Sequence, residues 1–118
     1  MWRRVLASAA VGALFAVGCS TFKVPAERFS AADAAIRAAD EAGAARTPAA
    51  AYQIQLAKDE ALRARELAEQ GEGERAHNLL LRAQMDAELA RAMAREAPLR
   101  AQAQEAMNKA KALEANPQ

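Results

Sequence analysis

One cysteine, one histidine and five aromatic residues in 118 leave little from which to build a conventional site or core. A lone cysteine provides no internal disulfide to staple a fold. A lone histidine falls short of the several convergent ligands that a metal centre needs. Charge of one sign is missing too, since 16 basic residues face 15 acidic ones for a net +1. Such a balance makes no strong field and argues against nucleic acid as the main partner. The chain also lacks a glycine-rich phosphate cradle, a nucleophile set beside a base and any cofactor motif. It reads as a non-enzyme without a cofactor.

What is present begins at Cys19. Arg3 and Arg4 make a basic start, Val5 to Val17 an apolar run of 13 residues, and Ala16-Val17-Gly18 place small side chains just ahead of the cysteine. These are the parts of an export signal. The run is too short for a comfortable span, which takes about 20 residues. The arrangement resembles a bacterial lipoprotein signal, in which residues 1–18 are removed and the sulfur of Cys19 takes a diacylglycerol. Such signals usually carry leucine three residues before the cysteine, where this chain has Ala16. Ala16-Val17-Gly18 also suits the ordinary signal peptidase, so plain secretion and an uncleaved anchor stand as alternatives. Loss of Arg3 and Arg4 leaves 14 basic against 15 acidic residues, a net −1. Ser20 is not the aspartate that retains such proteins at the inner membrane, so the expectation is the periplasmic face of the outer membrane.

Alanine supplies 35 of the 118 residues. It is the best helix former because it loses no side-chain entropy, and it contributes little burial. The expectation is therefore an all-α fold, slender and modestly stable. Residues 19–29 read as a lipidated tether and 30–115 as a helical domain. Ser30 reads as the cap of a first short helix, with Asp33 approximating a capping box. Phe29, Ala32, Ile36 and Ala39 share one face, Asp33, Arg37 and Glu41 form an i,i+4 ladder on another, and Gly43 ends the segment. Thr47-Pro48 opens a second helix. Its seam steps by four and three through Ala50, Ile54, Ala57, Ala61, Ala64 and Ala68. Gln70-Gly71-Glu72-Gly73 is the turn.

A third segment from about Glu74 repeats the seam through Ala76, Leu80, Ala83, Ala87, Ala90, Ala94 and Ala97. Two alanine seams of equal length about a two-glycine turn predict an antiparallel hairpin. Pro98 falls where the third helix outruns its partner, and proline kinks a helix interior. Beyond it a seam at Leu99, Ala103, Ala106, Ala110 and Leu113 lies out of register with the one before. No turn residue stands between Ala90 and Ala106, so a kinked but continuing helix is expected. The alternative is a fold-back that closes a small bundle.

Among candidate sites, His77 with nearby Glu74 reads as solvated surface. Asp59, Glu60, Glu66 and Glu69, interleaved with Lys58, Arg63 and Arg65, read as an ordinary charged helix face. The row Leu81, Met85, Leu89, Met93 is either the seat of the first helix or a surface for a partner or second copy. The apolar stripe beyond Pro98 reads either as an arm that orders on a partner or a second copy, or as a frayed tail without a role.

Ala38-Ala39-Asp40-Glu41-Ala42-Gly43-Ala44, the Pro48 start, the Ala57/Ala61/Ala64/Leu67 helix, the Gly71 turn and the run from Ala76 to Ala90 resemble, in that order, a bacterial family, the domain of unknown function 4398. Its usual Tyr-Ala-Pro is Arg46-Thr47-Pro48 here. The family consists of alanine-rich helical envelope proteins, often lipoproteins, some preceding an OmpA-like peptidoglycan-binding domain. The resemblance implies an envelope location and assigns no catalytic residue. The functional expectation is a structural or adaptor lipoprotein, attached to the membrane by its lipid and contacting an envelope protein, peptidoglycan or another copy of itself. An accessory or chaperone-like subunit of a secretion machine is the alternative.

Overall fold

A computed structural model describes residues 21–116. They form three α-helices, α1 (Ala26–Glu41), α2 (Pro48–Glu69) and α3 (Gly73–Ala115), with a 3-10 turn at Ala44–Arg46 and no strand among the described residues. The chain runs up, down and up. Asp33 and Asp40 on α1 meet Arg65 and Lys58 on α2 in reversed order, which sets α1 antiparallel to α2 and parallel to α3.

The seams are buried as their spacing requires. Ala50, Ile54, Ala57, Ala61 and Ala64 of α2 face Ala76, Leu80, Ala83, Ala87, Ala90 and Ala94 of α3, all inaccessible or nearly so. Ala68 is half-buried, and Leu67 takes over as the buried residue near the turn. α1 lies on this pair through Ala32, which packs with Ala64 and Leu80, and through Ala39, against whose cluster Ala35 and Ile36 also pack. Among the described residues, twelve of the fifteen buried apolar ones are alanine, and Ile54 and Leu80 are the largest side chains fully enclosed. Each alanine buries about one methyl, worth ~0.8 kcal/mol, where a leucine contributes ~1.5–3. The fold therefore depends on close backbones along a long contact.

Local sequence fixes the ends. α2 closes in a Schellman arrangement, with the Glu72 amide donating to the Leu67 carbonyl at 2.9 Å and the Gly71 amide to Ala68 at 3.1 Å. Gly71 takes the left-handed φ of +80° that this requires. Gly43, at φ +86°, ends α1 as its position implies. Thr47 precedes Pro48, the first residue of α2, but its hydroxyl donates back to the Gly43 carbonyl at 3.0 Å and caps nothing in α2.

The first helix departs from expectation. It begins at Ala26, with Pro25 as the extended residue before it, so Glu27, Arg28 and Phe29 are helical and the tether is shorter than 19–29. Proline needs no amide partner and its fixed φ suits a helix entrance, whereas Ser30 sits a turn inside and donates to the Ala26 carbonyl at 3.0 Å. Asp33 is correspondingly no capping residue. Both its oxygens accept from Arg65, at 2.6 and 2.7 Å, in place of the expected ladder with Arg37.

α3 contains Pro98 and continues for another 17 residues beyond it. Every residue from Pro98 to Asn116 is exposed, which answers the fold-back alternative. At ~1.5 Å per residue, residues 99–115 project roughly 25 Å past the bundle.

Candidate interaction surfaces

Two regions of the bundle's long axis carry features beyond packing. At the α2–α3 turn, Thr21–Pro25 run as an extended strap over the hairpin end. The Phe22 carbonyl sits against Gly73 so closely that any Cβ on that glycine would collide with it. The Phe22 ring meets His77 edge-on, with centroids 5.6 Å apart and planes at 82°. Val24 and Phe29 pack beside Ala32, Ala64 and Leu80. His77 is consequently half-buried, with Nδ1 enclosed and without a hydrogen-bond partner. This corrects its reading as solvated surface: the strap covers it. Cys19 lies outside the described residues, two positions before Thr21.

The α2 charged face is also not uniform. Asp59, Glu66 and Glu69 are exposed, but Glu60 is buried against α3, its side chain only 8 % accessible. Arg82 bonds its Oε1 at 2.8 Å. Burial pushes the Glu60 carboxyl above the usual glutamate range. The Arg82 charge opposes that shift, while the nearby Asp86 carboxyl adds to it. This is a seam element between α2 and α3. Sequence reasoning misses it because its partners lie 22 and 26 positions along the chain, where no local pattern reaches.

The second region is the outer side of α3. Of the row Leu81, Met85, Leu89 and Met93, Leu81 and Met93 are half-buried, and Met93 packs on the cluster that includes Ala39, Ile54 and Ala90. Met85 and Leu89 are exposed, 69 % and 46 %. The row therefore splits: its end residues belong to the bundle and its middle faces solvent. Beyond the bundle Leu99, Ala103, Ala106, Ala110 and Leu113 are all exposed, as is Met107. Among the described residues no helix is long and apolar enough to cross a membrane.

Compared with protein-family models, curated proteins and solved structures, the chain matches none.

Proposed function

We propose that this chain is a non-catalytic envelope lipoprotein, held at the periplasmic face of the outer membrane by lipid on Cys19 and serving as a structural or adaptor element. The observation that carries the adaptor reading is the arm, residues 99–115 of α3, which stands wholly exposed with Leu99, Met107 and Leu113 at 63, 51 and 68 % accessibility. Most helical stability in proteins comes from packing of an apolar face. This arm packs on nothing among the described residues, so a long exposed arm with apolar side chains calls for a partner. The strap supports the anchored arrangement. Thr21 follows Cys19 by two residues and lies over the α2–α3 turn, so a lipid on Cys19 would hold that end to the bilayer with the arm leading away from it. An envelope protein or peptidoglycan is then within reach of the arm. Membership of the alanine-rich envelope family is part of this proposal.

The exposed Met85 favours a second reading, an accessory or chaperone-like subunit of an export machine, because methionine adapts to varied contacts. Cross-linked envelopes separate the two. Recovery of wall-associated proteins or peptidoglycan that is lost on deleting residues 99–118 supports the adaptor. Recovery of export-machine components supports the accessory subunit. Lipid labelling of the native chain that disappears in Cys19→Ser tests the anchor itself. A variant that matures at the same size and stays with the membranes contradicts it.

A further inference from the structure

The arm's apolar stripe is not an isolated feature. Followed back through Pro98, it joins the exposed band on the outer side of the bundle. Met85, Leu89, Ala92, Glu96 and Leu99 step by four, three, four and three residues, and the same alternation continues through the arm to Leu113. Every one of these positions is exposed. The stripe covers 29 residues, just over four heptads, and is apolar at every seam position but Glu96; three to four sustained apolar heptads mark a coiled-coil seam. It lies on a different side of α3 from the Ala76–Ala94 seam, which α1 and α2 already cover. α3 thus carries two seams, one used inside the monomer and one open.

We infer that the open seam pairs, in parallel and in register, with the same seam of a second copy of this chain. This deepens the adaptor reading of the arm, but it rests on the stripe and its charges, not on lipidation of Cys19. In heptad terms Leu89, Glu96, Ala103 and Ala110 fall at a and Met85, Ala92, Leu99, Ala106 and Leu113 at d. A parallel pair sets each g residue against the e residue five positions on in the other chain. Lys109 then meets Glu114 of the second copy, twice by symmetry. Glu96, the one charged seam residue, is bonded by its own Arg100 at 2.8 Å and stands beside Arg95 of the second copy. These contacts offset the approach of Arg95 to the second copy's Arg100 and of the two Glu96 side chains to each other. Reversing one helix so that Leu89 faces Leu113 is less favourable. It gains Glu88 near Lys109 but sets Asp86 against Glu114 and the two Arg100 side chains together, with Glu96 facing Ala106. A parallel pair also leaves both straps at the same end of the rod, as two chains anchored in one membrane require.

The test is oxidative cross-linking of the full chain in its membranes, with one thiol added to the native Cys19 at Leu99→Cys, Leu113→Cys or, on the outward f position, Ala101→Cys. All three sites are exposed in the monomer, so folding is not at stake, and helicity by circular dichroism checks it. The expected result is a doubled chain from Leu99→Cys and Leu113→Cys, with none from Ala101→Cys or the unaltered chain. Cross-linking at Leu99→Cys without Leu113→Cys, together with a Leu89→Cys to Leu113→Cys cross-link between two tagged copies, overturns the parallel register. Absence of any doubled chain overturns the pairing. Repeating the set in Cys19→Ser, solubilised in detergent, separates this from the anchor. Cross-links that persist there uphold the pairing whatever the lipid labelling of Cys19 shows.

Discussion

The Phe22 carbonyl occupies the space that a side chain on Gly73 would need. The obstacle is backbone, not the end of a flexible side chain, so the strap must lift if Gly73 gains a methyl. Alanine itself suits the first turn of a helix. Gly73→Ala is therefore expected to keep α2 and α3 helical while releasing residues 21–25. Limited trypsinolysis at Arg28 and in the strap reads this directly. Cleavage should be faster in the variant, and an unchanged rate contradicts a strap held by this contact.

The alanine seams make a graded prediction. Ala61 and Ala87 are 2 % and 0 % accessible between closely spaced helices, whereas Arg63 faces solvent. Overpacking a filled core costs ~1–3 kcal/mol. For a domain of this size each kcal/mol moves the melting temperature by roughly 4–8 °C. Ala61→Leu and Ala87→Leu should each melt several degrees below Arg63→Leu. Equal melting temperatures contradict the close packing.

Much of this packing is legible in the sequence, for a definite reason. Ala50 to Ala64 and Ala76 to Ala94 repeat at the helical period, and the Gly71–Gly73 turn sets one series against the other, so burial follows from spacing alone. The long-range pairs are not legible. Asp33 with Arg65, Asp40 with Lys58 and Glu60 with Arg82 are joined by the topology, and each of these residues looks locally like surface charge. The start of α1 escapes local reasoning because Ser30 is a good cap residue, while Pro25 looks equally at home in a tether. The outer seam of α3 has its signal in plain view. The four-residue row Leu81, Met85, Leu89, Met93 masks it, since a step of four drifts around the helix and only Met85 and Leu89 stay on the exposed side.

Glu60 gives the fold a pH signature. Its carboxyl is raised in the folded chain by burial, opposed by Arg82 and reinforced by Asp86. A raised acid holds its proton better folded than unfolded. Its contribution is complete below the ordinary glutamate range and is lost as pH rises through the raised folded value. Glu60→Gln keeps a neutral side chain at every pH. The stability of the native chain relative to this variant should therefore fall across that interval. Urea unfolding of both proteins as a function of pH measures it, and a constant or rising difference contradicts the buried carboxyl.

The ion pairs to α1 should matter less. Lys58–Asp40 and Arg65–Asp33 leave roughly two-fifths of each side chain accessible, and pairs so exposed contribute about 0–1 kcal/mol. Asp40→Asn and Asp33→Asn should each lower the melting temperature less than Ala61→Leu. A larger loss from either would mean that α1 is held by charge more than by Ala32 and Ala39.

On this account α1, α2 and residues 73–97 of α3 form a self-sufficient bundle, and the rest of α3 serves contacts outside it. Deleting residues 99–118 tests this most directly, with thermal unfolding followed by circular dichroism at low protein concentration. The expected result is a cooperative transition at essentially the melting temperature of the dilute full-length chain, with self-association lost. A truncated protein that is unfolded, or that melts without a cooperative transition, would contradict it.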